Sequence, residues 1–181
     1  MNKFSNLLKV ALLAAGAAFA SAVAADPLSA DLQAKTEKYR QKLVEWSADP
    51  ALVSAVREAN AKGAPAMNNA KWEELGDKDP AVMTYVTSPV GKQLAKWEED
   101  KNISKLFLRD AKGNLVAASS KPLLFNNGNR PVVVNALKGS PWIAAEVKPD
   151  PTTQKRSVQL GAPVMDGGKV IGVLHTAVDA Q

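Results

Sequence analysis

The chain has 181 residues, 46% hydrophobic and 23% charged, a globular composition sized for one domain or one domain with a helical extension. It contains no cysteine and a single histidine, His175. That excludes disulfides, thiolate-bound zinc, iron–sulfur clusters, c-type haem attachment, a cysteine nucleophile and a multi-histidine metal site within one chain. The formal charge of +5 is mild, and lysines such as Lys35, Lys38 and Lys42 alternate with acids as solvated helix faces do, so no nucleic-acid partner is expected.

Residues 1–24 are predicted to be a signal peptide: Lys3 and Lys9 open it, VALLAAGAAFA is its apolar stretch, and the small residues of SAVAA precede Asp26. Cleavage after Ala24 or Ala25 removes both lysines and takes the charge from +5 to +3. The apolar run falls short of the roughly 20 residues of a comfortable membrane span, although an uncleaved anchor is the other reading. The mature chain is therefore expected in a periplasm or secreted.

From Ser29, a plausible cap, to about Trp46 the spacing of Leu32, Tyr39, Leu43 and Trp46 predicts a long amphipathic helix. Asp49-Pro50 opens a second helix to Ala61. Residues 61–80 read as a loop with one helical turn around Trp72. Pro80 to Val86 is helical again, and Ser88-Pro89 restarts a helix to about Asp100. The stripe on the leading helix serves either as core or as the seam of a homodimer.

Beyond Asn102 the texture changes to strands. ISKLFLRD (103–110) alternates, DAKG is a hairpin turn and LVAAS (115–119) is the return strand. NRPVVVNALKG (129–139) predicts a short helix with Pro131 at its start and Gly139 at its end. WIAAEVK (142–148), SVQLGAPVM (157–165) and VIGVLHTAV (170–178) complete a five-stranded antiparallel sheet with helices on one face. The expected class is α+β, with residues 25–101 forming a helical region packed on a sheet core of residues 102–181.

No catalytic signature appears. There is no GxSxG elbow, P-loop, GxGxxG, HExxH or EF-hand loop, and adjacent acids such as Glu73-Glu74 and Glu99-Asp100 do not converge on one site. No enzyme, cofactor or metal is expected. The informative constellation is Lys121, Phe125, Asn126, Asn127, Asn129, Arg130 and Trp142. Three amides, a guanidinium and two aromatics around one loop and a helix start suit a small polar pocket, in which Arg130 would hold a carboxylate through two parallel hydrogen bonds. The competing reading puts Phe125 and Trp142 in the core and Arg130 in a surface ion pair. His175 likewise either faces a pocket or fills a sheet edge.

ISKLFLRDAKGNLVAASS, NRPVVVNALKGS and SVQLGAPVMDGGKVIGVLHTAVDA, in that order and spacing, resemble the Cache family of PDC-like, extracellular PAS-like sensor domains over about residues 85–181. The resemblance implies a PAS/Cache-like sheet with a long N-terminal helix and a short central helix. It also implies a pocket between that short helix and the sheet, opened by Arg130, for a small carboxylate, amino acid or amine. Two departures disfavour an α-amino group: Val132 and Val133 stand where amino-acid-binding members carry aromatics, and Ala177 where they carry an aspartate. A small organic anion is the expected ligand. Members are usually fused to a transmembrane helix and an output module. This chain is expected to act without its own, through a membrane receptor or sensor kinase, with an interaction or structural role lacking a functional pocket as the alternative.

Overall fold

A computed structural model describes residues 28–150 and 153–181; the signal-peptide expectation lies outside these described residues. Five helices begin where the chain supplies a capping side chain. Ser29, Asp49, Asn68, Asp79 and Ser88 each accept a backbone N–H at the start of α1 (Ala30–Ser47), α2 (Pro50–Lys62), α3 (Asn69–Glu73), α4 (Pro80–Val86) and α5 (Pro89–Glu98). Three of them, α2, α4 and α5, carry proline in the first turn, where its missing N–H costs nothing. None of the described helices is long and apolar enough to cross a membrane.

The strands are β1 (Ile103–Asp110), β2 (Leu115–Ala118), β3 (Trp142–Ile143), β4 (Lys148–Pro149), β5 (Arg156–Asp166) and β6 (Lys169–Asp179), with α6 (Pro131–Ala136) between β2 and β3. The β1–β2 turn depends on Gly113 at φ 81° and on Asp110, whose carboxylate accepts from the Lys112 and Asn114 amides. All pairings are antiparallel, in the order β2-β1-β6-β5-β3, with β4 also on β5. The expected five strands become six because the segment read as one strand over 142–148 breaks. Ala144 still donates to the Gln159 carbonyl, but pairing then lapses until Lys148. WIAAEVK lacks the alternation that would hold it flat on β5, and its departure makes room beneath it.

Alternation along the central strands gives the sheet two different faces. Leu106 and Leu108 of β1, Leu160 and Ala162 of β5 and Leu174 of β6 pack under Leu32, Tyr39 and Leu43 of α1, Leu52 and Val56 of α2 and Leu94 of α5. The stripe on α1 is thus covered by the chain's own sheet, and Trp46 stacks on Trp97 with centroids 4.9 Å apart. The dimer seam drawn from that stripe loses its basis. Helices were expected on one face only, but α6 lies on the other, where Val132, Val133 and Ala136 meet Val173. Its approach is close: a Cβ on Gly161 would stand 2.8 Å from the Val132 carbonyl oxygen.

Candidate functional site

The second sheet face carries the chemistry. Lys105, Phe107 and Arg109 alternate along β1, His175 sits between Phe107 and Gly161 in register, and Ser157 and Gln159 follow on β5. Between this face, the 122–124 loop, the start of α6 and the 144–150 segment lies a cavity of about 560 Å³. Its volume suits a small molecule.

Arg109 is fully buried behind the cavity without a carboxylate partner among the described residues. Its guanidinium donates instead to the carbonyls of Phe125, Leu124 and Gly113, and its Nε donates to His175 Nε2 at 3.2 Å. Burial pulls the guanidinium down to about 9, with Asp110 opposing, so it stays cationic at neutral pH. His175, buried and edge-on to Phe107 at 5.4 Å, is held well below its ordinary value by desolvation and by the Arg109 and Lys105 charges. It is neutral, with Nε2 as acceptor and the proton on Nδ1.

Lys105 forms a buried ion pair with Asp150, whose side chain is 0% exposed. Burial lowers the lysine, and the aspartate opposes that shift. Asp150 also accepts from the Thr153 amide, so one carboxylate organises the turn after β4 and ties it to the cavity floor. At the mouth, Lys148 pairs with Glu146. Arg130 caps nothing with its side chain, and no residue among those described pairs with its guanidinium. Asn127 Oδ1 and Ser157 Oγ are buried without a hydrogen-bond partner, and both residues belong to the cavity wall.

Of the residues singled out in the sequence, Arg130, Asn127, Trp142 and His175 come together around this cavity. Phe125 does not: it is 1% exposed in a separate cluster with Trp72 and Tyr85, and it touches the site's machinery only through its carbonyl. Lys121 lies over the Trp72 ring at 5.8 Å instead of lining the cavity. Asn126 is spent locally, on Asn114, the Lys112 carbonyl and the Gly128 amide. Asn129 is exposed and outside the wall. His175 fills no edge, because β6 is interior to the sheet. Sequence reasoning missed Lys105, Asp150, Ser157 and Gln159. A signal for the first existed, since ISKLFLRD places two cations four residues apart on one face of a largely apolar strand, a pattern that asks for buried partners.

No family model matches the chain, and neither does any curated protein. Among solved structures, the sensor domain of the V. cholerae histidine kinase DctB is similar, at 19% identity and a TM-score of 0.58, over 81% of this chain and 50% of that one. The sensory domain of the Campylobacter jejuni chemoreceptor Tlp3 with isoleucine bound aligns at 14% identity and a TM-score of 0.41, over 81% and 62%. The ligand-binding domain of the Pseudomonas aeruginosa PAO1 amino acid chemoreceptor PctC with GABA aligns at 17% and 0.37, over 80% and 61%. This chain thus spans about half the length of the DctB sensor domain. Its fold is that of the Cache, or PDC-like, sensor domains.

Proposed function

We propose that the chain is an exported, sensor-type binding protein whose cavity takes a small organic anion such as a carboxylate, and that it is not an enzyme. One observation carries the choice of an anion. The wall holds Lys105, Arg130 and Lys148 against Glu146 and Asp150, the acids are both paired, and Arg130 is left as the cation with no partner among the described residues. A guanidinium with free donors at the wall of a cavity is suited to a carboxylate, which it can bind in a fork. The buried Arg109 adds to the positive potential from behind. Trp142 and Leu123 supply apolar surface for a short carbon chain. On fold-level analogy alone, signalling through a membrane receptor or sensor kinase is the setting.

The test is a thermal-shift screen of small mono- and dicarboxylates on the purified chain, followed by calorimetric titration of the best of them. Arg130→Ala is expected to weaken binding at least about tenfold, the worth of one charge-assisted pair. Arg130→Lys recovers part of it, because an ammonium cannot form the fork. Equal affinity in all three proteins overturns the role of Arg130. Failure of every carboxylate to bind the wild type leaves the interaction-protein alternative standing.

A further inference from the structure

We propose that Lys105 is a built-in ammonium group that occupies the buried acidic subsite of the cavity, Asp150, and so restricts the site to acids that carry no amino group. The inference rests on the anion reading above and names the ligand class more narrowly.

Among the described residues, the cavity has one buried acid. Asp150 is 0% exposed at its side chain, and it lines the same cavity as Arg130. A carboxylate and a guanidinium lining one cavity are the charges that would receive the two ends of an amino acid, the carboxylate on arginine and the ammonium on aspartate. Here a cation from the chain itself already holds the second position. Lys105 reaches Asp150 from 45 residues away in the chain, with its own side chain 5% exposed. An incoming ammonium would have to displace a pre-organised one and leave Lys105 buried without its partner, which is strongly unfavourable. Glu146 offers no second acidic subsite of that kind, being partly exposed and paired with Lys148. A ligand without an amine meets no such conflict.

Two experiments decide it. In the first, the thermal unfolding of Lys105→Ala is followed with propylammonium chloride against sodium chloride at matched ionic strength. The shortened side chain leaves space beside Asp150, and propylammonium is expected to raise the melting temperature by about 3 °C or to restore a cooperative transition. Neither the wild type nor Lys105→Ala/Asp150→Asn should respond. An alanine variant that propylammonium neither stabilises nor refolds overturns the proposal, as does an equal response in the double variant.

In the second, the matched pairs propionate and β-alanine, and butyrate and 4-aminobutyrate, are titrated by calorimetry. The wild type is expected to favour the plain acid by at least about tenfold and Lys105→Ala to lose or invert that preference. A wild type that binds acid and amino acid alike overturns the proposal. If the wild type binds none of the four, the propylammonium response judges Lys105, and the anion reading is judged separately by the full carboxylate screen.

Discussion

At the scale of single residues, the cavity-facing side of β1 is unusual in burying two cations, and each is satisfied differently. Lys105 has a carboxylate; Arg109 has carbonyls and a neutral histidine. The neutrality of His175 has a consequence for stability. Its value in the folded chain lies well below the ordinary 6.5, so between that depressed value and about 6.5 the unfolded chain binds a proton that the folded chain does not. Stability from this group is fully present above about pH 6.5 and falls on acidification by up to about 1.4 kcal/mol per pH unit. His175→Gln keeps an acceptor for Arg109 but does not titrate. Denaturant unfolding of both proteins between about pH 7.5 and 5 should show the wild type losing stability more steeply. Parallel curves would mean that His175 takes up its proton as readily in the folded chain as in the unfolded one. The histidine itself was legible in the sequence as a candidate, but its partner was not. Arg109 and His175 are 66 residues apart and meet only because β1 and β6 pair in one register.

At the scale of elements, most of the order along the chain is set locally. Ser29, Asp49 and Ser88 cap the helices they were expected to open or restart, and the β1–β2 turn forms at Gly113. The short helix α6 is different, because six residues do not hold a helix in water and its docking must do so. That docking depends on Gly161, where an added Cβ would also lie 3.1 Å from Val132 Cγ2 and 3.2 Å from Ala136 Cβ. The backbone oxygen of Val132 cannot yield by a rotamer change, so α6 itself must move. Gly161→Ala is expected to cost about 1–3 kcal/mol in denaturant unfolding and to weaken carboxylate binding by shifting Arg130. A loss below about 0.5 kcal/mol would show that α6 is held elsewhere. Where an expected strand broke, its local pattern was weak. The 142–148 segment has enough β-forming residues for a strand, yet it leaves β5 after Ala144 and forms part of the cavity wall.

At the scale of the whole molecule, the helical region and the sheet share one core. Leu32, Tyr39 and Leu43 on α1 and Leu94 on α5 are buried with Leu106, Leu160 and Leu174 of the strands. Tyr39 donates to Asp100 at 2.7 Å, and Lys42 reaches the same carboxylate at 3.0 Å, tying α1 to the entrance of β1. Among the described residues, this core begins at Leu28. N-terminal sequencing of the protein recovered from its native host is expected to start at Ala25 or Asp26. A chain beginning at Met1 would overturn the signal-peptide reading.

The sequence by itself determined the α+β class, the helix starts at Ser29, Asp49 and Ser88, the alternation of β1 and the short helix opened by Arg130, because each is a local pattern of spacing, turn chemistry or capping. It also brought Arg130, Asn127, Trp142 and His175 forward as candidates. Only the tertiary structure decided which side chains share the cavity. Phe125 and Asn127 are two residues apart, yet one joins the Trp72 cluster and the other the cavity wall. Lys105 and Asp150 are remote in the chain and form one buried pair. The physical reason is that a cavity is bounded by whatever the sheet register and the loop paths bring together. Those depend on packing between distant segments, which no local periodicity encodes.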